Sequence, residues 1–261
     1  MAIQGVIIDL DGCVYVGDRP VEGVAKTIKE LRQRGLKLLF LTNNATKTPE
    51  EYVNKLKSMG IDASQNEILT SGIIAASYVR RVYGKSKIYV VGTQALENVL
   101  TNYGHEIVDS NADIVIVGLD FNFNYQKLLV ASTEIRRGAK FIATNTDSTI
   151  PVEEGLLPGA GSIVKAIEVA SGVKPVVVGK PSKIALREAL RRIHVKPENA
   201  IVVGDRPETD VKMGKRFQCK TVLVLTGVIG KEGIKALPKK LKPDFVIESL
   251  NDLISLIDVM N

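Results

Sequence analysis

Cysteine and long apolar runs are both scarce in this 261-residue chain, and each scarcity excludes a class of protein. The two cysteines, Cys13 and Cys219, are too few for the disulfide framework of a small secreted domain, and neither lies in a C-x-x-C or His-containing metal motif. The N-terminal sequence MAIQGVIIDLDG lacks the basic start of a signal peptide. No apolar run approaches the roughly 18 residues of a membrane span. We therefore expect a soluble protein of the reducing cytoplasm.

The chain also lacks a Ser- or Pro-rich linker, a low-complexity tract and a fixed-period repeat. Its net charge is +6, yet Lys and Arg are interleaved with acidic residues, which argues against a nucleic-acid surface. We interpret the densest basic stretch, residues 231–242, as a solvated face. What is present, 45% hydrophobic and 25% charged residues, is the balance of a chain that buries a core.

Short β-branched runs alternate with amphipathic segments along the whole chain, which predicts an α/β fold. Apolar runs at 5–10 and 36–41 flank a segment with helical periodicity, and a second helix is predicted from Pro49 to near Gly60. Further predicted elements are strands at 87–91, 114–117, 141–143, 176–178 and 201–203 and a helix at 125–137. In open parallel sheets, ligands bind beyond the carboxyl ends of the strands, so polar residues at those ends are candidates for chemistry.

Asp9 and Asp11 follow the first apolar run, in the string Asp-Leu-Asp-Gly. Side chains at i and i+2 of a strand point to the same side, so the two carboxylates are expected to crowd together. Repulsion of this kind favours a bound divalent cation or a shared proton. The alternative is a polar exit from the strand in which Gly12 makes the turn.

Other polar residues follow predicted strands in the same way. They are Thr42 after the second strand, Lys180 after Val-Val-Val-Gly, and Asp205 with Asp210 after Ile-Val-Val-Gly. Each has an ordinary explanation as a turn or surface residue. If the strands are neighbours in one parallel sheet, however, carboxylates, a hydroxyl and an ammonium converge at one edge.

The motifs around Asp9, Thr42, Lys180 and Asp205, in this order along the chain, resemble the four motifs of the haloacid dehalogenase-like superfamily of phosphatases. Three longer motifs are similar to those of one branch of this superfamily, the NagD-like or 4-nitrophenylphosphatase branch. They are Leu41-Thr42-Asn43-Asn44, Val178-Gly179-Lys180-Pro181-Ser182 and Gly204-Asp205-Arg206. The resemblance covers nearly the whole chain. It implies a Rossmann-like parallel-sheet core, residues 1–79 and 179–261, into which an α/β cap domain of the class IIA type, residues 80–178, is inserted.

The resemblance also implies roles for the residues. Asp9 attacks phosphorus to form an aspartyl-phosphate, while Asp11 acts first as an acid and then as a base. Mg²⁺ is expected at the Asp9 carboxylate, the Asp11 carbonyl oxygen and Asp205, with Asp210 supporting a metal-bound water or Lys180. The groups expected to bind the phosphoryl oxygens are Thr42, Asn43, Asn44 and Lys180.

Substrate choice is expected in the cap, because a closing cap contacts the leaving group. Asn145 and Asp147, in the polar loop after the strand at 141–143, are candidate substrate contacts, and capping of their own loop is the alternative. The expected substrates are small phosphate monoesters: 4-nitrophenyl phosphate, sugar phosphates, phosphoglycolate or nucleoside monophosphates. Two copies are expected to pair through the cap, as in relatives, and no nucleic-acid polymer or membrane is expected as a partner.

Two other functions remain open. A phosphotransferase begins with the same aspartyl-phosphate and differs in forming product only when an acceptor alcohol is present. A non-catalytic phosphoester-binding protein on the same fold binds Mg²⁺ and an ester without releasing phosphate.

Overall fold

The computed structural model describes residues 2–152 and 155–260. The strands are β1 (Gly5–Asp9), β2 (Tyr15–Val16), β3 (Arg19–Pro20), β4 (Lys37–Thr42), β5 (Ile68–Thr70), β6 (Lys87–Val91), β7 (Glu106–Ile107), β8 (Ile114–Val117), β9 (Lys140–Ala143), β10 (Thr149–Val152), β11 (Gly155–Pro158), β12 (Val176–Val177), β13 (Ala200–Gly204), β14 (Lys220–Val224) and β15 (Phe245–Ile247). The α-helices are α1 (Val24–Gln33), α2 (Pro49–Ser58), α3 (Ser71–Val82), α4 (Gln94–Asn102), α5 (Tyr125–Arg136), α6 (Ala160–Ser171), α7 (Lys183–Ile193), α8 (Lys212–Lys215), α9 (Lys231–Lys235) and α10 (Leu253–Met260).

The chain divides into two compact units. One comprises Met1–Thr42, Pro49–Leu69 and Lys180–Asn261, and the other comprises Asn43–Thr48 and Thr70–Gly179. The predicted cap, residues 80–178, falls within the range of the second unit.

A six-stranded sheet in the order β15-β14-β13-β1-β4-β5 is the frame of the first unit. Strand β1 lies between β13 and β4 and pairs with both in parallel. All its residues are buried, as in a parallel strand that is covered on both faces. In this register Ile8 lies beside Val203, and Asp9 lies beside Leu41. The residues that follow β1, β4 and β13 therefore emerge at the same edge of the sheet.

The second unit has a sheet of its own, in the order β12-β9-β8-β6-β7, whose strands pair in parallel. Helices α5 and α6 bury Ala131, Ile135 and Ile167 in a core with residues of β8 and β9. A separate antiparallel hairpin joins β10 to β11. The predicted α/β fold with parallel sheets is therefore confirmed.

Other expectations of the sequence can be compared directly. The strands predicted at 87–91 and 114–117 have those bounds in the structure. Strand β14 and the β10–β11 hairpin were not predicted. Cys13 and Cys219 are both buried free thiols. Within the described ranges, no helix combines the length and the apolar character needed to cross a membrane.

Candidate active site

Asp9 is the last residue of β1, and only 8% of its surface is exposed. Its Oδ1 atom accepts a hydrogen bond from the Leu10 amide at 2.8 Å and lies 2.7 Å from the Lys180 Nζ atom. Burial raises the pKa of Asp9 well above its usual range, the Lys180 ammonium opposes that rise, and the carboxylates of Asp210 and Asp205 add to it. The position of Asp9 therefore depends on a nearby cation to keep its carboxylate ionised.

Lys180 supplies one positive charge to two carboxylates. Its Nζ atom is 2.7 Å from Asp9 Oδ1 and 2.8 Å from Asp210 Oδ1, and the residue is 3% exposed. Burial alone lowers the pKa of this lysine, but Asp210 and Asp9 together raise it above the usual value. Lys180 is thus a fixed ammonium that links the ends of β1 and of the segment after β13.

Asp205 and Asp210 follow β13. The turn from Pro207 to Val211 brings Asp210 back towards Gly204, where an added Cβ atom would lie 2.2 Å from the Asp210 Cβ. The Thr209 hydroxyl donates to Asp210 Oδ2 at 2.9 Å, and the Val228 amide donates to Asp205 Oδ2 at 3.0 Å. Burial, with a smaller contribution from Asp210, raises the pKa of Asp205 to about 6.

Asp9, Asp205 and Asp210 form a cluster whose ligand oxygens all lie within 4.8 Å of one another. When ionised, the three carboxylates carry three negative charges against the single ammonium of Lys180, so two are unbalanced. Hard carboxylate oxygens are the ligands that Mg²⁺ prefers. The donor set and the unbalanced charge therefore fit a divalent cation.

Asp11 is not a member of this cluster. Strand β1 ends at Asp9, so the strand geometry that predicted crowding between Asp9 and Asp11 does not extend to Asp11, and the acids that crowd Asp9 are Asp205 and Asp210. Asp11 is exposed in a tight turn in which Gly12 has a φ of 82° and donates its amide proton to the Tyr15 carbonyl at 2.8 Å.

Thr42 is the last residue of β4 and is 2% exposed. Its side chain is hydrogen-bonded to the hydroxyl of Tyr52, which α2 places there. Burial raises the pKa of Tyr52, Asp11 adds to the rise, and the bond with Thr42 opposes it. The hydroxyl of Thr42 thus lies at the end of β4, the strand adjacent to that of Asp9.

The remaining predicted residues belong to the second unit, where Asn43, Asn145 and Asp147 bond to one another. Asn145 donates from Nδ2 to the Asn43 carbonyl at 2.8 Å, and Asn43 donates from Nδ2 to Asp147 Oδ2 at 3.0 Å. Asn145 Oδ1 also accepts the Asp147 amide at 3.0 Å, which is the loop capping that the sequence left open. Asn44 Oδ1 accepts the Thr46 amide at 2.9 Å.

The segment Thr226–Val228 also belongs to the site and was not predicted. Thr226 donates its hydroxyl proton to the Gly12 carbonyl, and a Cβ atom on Gly227 would lie 2.0 Å from Asp205 Oδ2. The signal was present, because Leu-Val-Leu-Thr-Gly at 223–227 is another apolar run that ends in polar residues. Its strand, β14, was missing from the predicted sheet.

The sequence is similar to two family models and to known phosphatases and nucleotidases. A model of the family described as haloacid dehalogenase-like hydrolase matches residues 6–106, and a HAD-hydrolase-like model matches residues 177–253. The chain is 38% identical over 252 residues to an acid sugar phosphatase of Staphylococcus saprophyticus, covering 96% of both chains. It is 35% identical to the 5′-nucleotidase YutF of Bacillus subtilis, covering 97% of this chain and 98% of that protein.

Solved structures are similar over almost the whole chain. A p-nitrophenyl phosphatase from Archaeoglobus fulgidus has a TM-score of 0.93 at 34% identity, covering 98% of this chain and 100% of that one. NagD from E. coli K-12 has a TM-score of 0.90 at 35% identity, covering 97% and 98%. A glycerol phosphate phosphatase from Mycobacterium tuberculosis, solved in complex with magnesium, has a TM-score of 0.89 at 32% identity, covering 96% and 77%.

Proposed function

Because the chain belongs to the haloacid dehalogenase-like hydrolases, we propose that Asp9 is the nucleophile of a Mg²⁺-dependent phosphatase that works through an aspartyl-phosphate. The chain is a NagD-like phosphoric monoester hydrolase, which argues against the non-catalytic alternative. The observation that carries the proposal is the placement of the Lys180 ammonium between Asp9 and Asp210, beside Asp205.

The reaction begins at Asp9. A carboxylate oxygen of Asp9 forms a bond to phosphorus while the bond from phosphorus to the ester oxygen breaks, which divides one slow hydrolysis into two easier steps. Water then attacks the aspartyl-phosphate, and the bond from phosphorus to Asp9 breaks. The ion pair with Lys180 at 2.7 Å supports this role because it favours the ionised, nucleophilic form of Asp9.

Asp11 transfers the protons. In the first step its carboxyl proton passes to the departing ester oxygen, and in the second step its carboxylate accepts a proton from the attacking water. The exposed position of Asp11 gives its carboxyl group access to water, as this exchange requires.

Negative charge on the phosphoryl oxygens is neutralised by fixed donors. We propose that the Lys180 ammonium, the Thr42 hydroxyl and the backbone amides of Asn43 and Asn44 donate to them. Asn145 supports this arrangement by bonding the Asn43 carbonyl, which fixes the backbone that carries those amides. Asn145 and Asp147 are also the proposed determinants of substrate choice, in the cap formed by residues 80–178.

Mg²⁺ would be held by the carboxylates of Asp9 and Asp205 and the carbonyl oxygen of Asp11, with Asp210 contributing through a bound water or through Lys180. When bound, the cation supplies positive charge that offsets the phosphoryl oxygens and the excess charge of the three acids. The proposed substrates are small phosphorylated metabolites: sugar phosphates, phosphoglycolate or nucleoside monophosphates, with 4-nitrophenyl phosphate as an artificial one.

We also propose that two copies pair through the second unit. Its α5 exposes Tyr125 (80%) and Leu129 (45%), and Phe121 just before it is 65% exposed. Exposed apolar side chains grouped in this way are typical of an interaction surface. Light scattering on the wild type and on the variant Tyr125→Lys tests the pairing, and a monomeric wild type contradicts it.

The main experiment is a panel of phosphate esters assayed with Mg²⁺ and with EDTA, using wild type and Asp9→Asn. Phosphate release that needs Mg²⁺ and disappears in a folded Asp9→Asn variant is the expected result. Trapping with beryllium fluoride and Mg²⁺ tests the acyl-phosphate directly. Near-wild-type turnover by Asp9→Asn contradicts the nucleophile assignment, and release only in the presence of an acceptor alcohol favours the phosphotransferase.

A further inference from the structure

We infer that Lys55, on α2, is a positioning residue that holds the Asp11 turn in its catalytic geometry. The inference rests on the proposed function, because it assumes that Asp11 is the general acid. It is carried by one juxtaposition: the Lys55 ammonium contacts Tyr15, Gly17 and Asp18 in the hairpin that follows Asp11.

The hairpin formed by β2 and β3 has only two residues in each strand. Tyr15 is buried in the core of the first unit, with Cys13 and Val14 before it, whereas Val16 and both residues of β3 are exposed. Two-stranded hairpins are at best marginally stable in water without further packing. The conformation of residues 16–20 therefore depends on what the rest of the first unit contributes.

Lys55 makes that contribution from α2. Its Nζ atom donates to the Gly17 carbonyl at 2.8 Å, lies 3.1 Å from Asp18 Oδ1 and sits 3.9 Å from the centre of the Tyr15 ring. The Asp18 side chain is 92% exposed, so that ion pair contributes little. The Lys55 side chain is only 16% exposed, and its contacts with the carbonyl and the ring attach the exposed end of the hairpin to α2.

Tyr15 connects this attachment to Asp11. The ring of Tyr15 is buried against Lys55, while its backbone forms a bridge with Asp11 and accepts the Gly12 amide proton at 2.8 Å. Asp11 lies beyond the end of β1, so this turn fixes its backbone. Loss of the Lys55 ammonium would loosen the hairpin and let the Asp11 carboxyl move away from the ester oxygen.

A general acid matters most when the leaving group is poor. An alkoxide needs a proton as it departs, whereas 4-nitrophenolate is stable enough to leave without one. The ratio kcat/KM covers the steps up to the first irreversible bond cleavage, so it reports on this proton and not on the later water attack. Damage to Asp11 positioning should therefore lower kcat/KM for an alkyl phosphate more than for 4-nitrophenyl phosphate.

The experiment compares Lys55→Met, Lys55→Arg, Asp11→Asn and the double variant on 4-nitrophenyl phosphate and on the alkyl phosphate that wild type hydrolyses fastest. Lys57→Met is the matched control, because Lys57 lies on the same helix and is exposed. We expect Lys55→Met to lose up to about 100-fold in kcat/KM on the alkyl ester, the cost of a misplacement of about 1 Å. Lys55→Arg should restore most of the loss, and Lys57→Met should match wild type.

The double variant decides whether Lys55 acts through Asp11. If it does, Lys55→Met costs nothing further once Asp11→Asn is present. Equal losses on both esters, no loss, or losses that multiply in the double variant overturn the inference and leave the phosphatase assignment intact. An Asp11→Asn variant without leaving-group dependence refutes the general-acid role itself and the inference with it. Far-UV circular dichroism checks folding, and Lys55→Gln replaces Lys55→Met if the latter does not fold.

Discussion

Replacing Gly227 with alanine should damage the site while leaving the fold intact. A Cβ atom at this position would lie 2.0 Å from Asp205 Oδ2 and 2.3 Å from the Asp205 Cβ, whereas real Cβ atoms essentially never approach within 3.0 Å. The Asp205 Cβ is fixed to its own backbone, so rotation of the carboxylate cannot relieve the clash. Gly227 does not have a positive φ, so the substitution adds no backbone strain of its own.

The size of the effect follows from the displacement. Asp205 Oδ2 and residue 227 must separate by at least about 1 Å, and a misplacement of that size at a reacting centre costs on the order of 100-fold. The same shift breaks the hydrogen bond from the Val228 amide to Asp205. We therefore expect Gly227→Ala to lower kcat/KM by about 100-fold and to raise the Mg²⁺ concentration needed for half-maximal activity.

Gly230→Ala is the matched control, because a Cβ atom on Gly230 meets nothing within 4 Å and its φ is −92°. Steady-state assays with 4-nitrophenyl phosphate over a Mg²⁺ titration measure both quantities, and circular dichroism verifies folding. Wild-type kcat/KM and Mg²⁺ dependence in a folded Gly227→Ala protein would refute the close packing of Gly227 against Asp205.

Three further predictions concern charge and burial. Lys180→Met leaves Asp9 and Asp210 without their ammonium and should destabilise the metal-free protein by about 3–5 kcal/mol. Denaturant unfolding followed by circular dichroism measures this loss, and an unchanged unfolding midpoint contradicts it. Folding raises the pKa of Asp205 from 3.8 to about 6, so the folded state binds more protons between these values. Without Mg²⁺ the free energy of unfolding should therefore fall as pH rises through that window, and Asp205→Asn should flatten the dependence. Burial raises the pKa of Cys13 well above its usual range and the pKa of Cys219 to about 12. Neither thiol should therefore react with iodoacetamide in the folded protein, and mass spectrometry after labelling detects any reaction.

The sheet of the first unit could be predicted as far as hydrophobic runs mark its strands. Strands β1, β4 and β13 are almost wholly buried runs that are rich in β-branched and aliphatic residues. β1 and β4 end in a polar residue, and Asp205 directly follows β13. This pattern follows from burial of a parallel strand on both faces. Strand β11 gave no such signal, because all four of its residues are exposed and no buried face imposes an alternation on it.

The sequence predicts which residues form the candidate site better than it predicts the contacts among them. Local spacing suggested that Asp9 would face Asp11, but the end of β1 at Asp9 and the positive φ of Gly12 direct the next residues into a separate turn. The contacts of Asp9 with Lys180 and with the acids after β13 depend on strand order, which local spacing does not specify. The role of Gly227 depends on the side chain of a residue 22 positions earlier, and no local pattern encodes it.

Buried acids that repel one another are a cost to folding, and the structure shows how this chain limits that cost. The Lys180 ammonium lies 2.7 Å from Asp9 Oδ1 and 2.8 Å from Asp210 Oδ1. The Val228 amide donates to Asp205 Oδ2, and the Thr209 hydroxyl donates to Asp210 Oδ2. These contacts offset only part of the cost, since burial, with a smaller contribution from the neighbouring carboxylates, still raises the pKa values of Asp9 and Asp205. A divalent cation would offset the residual negative charge, whereas a site fully neutralised by its own residues would gain nothing from binding the cation.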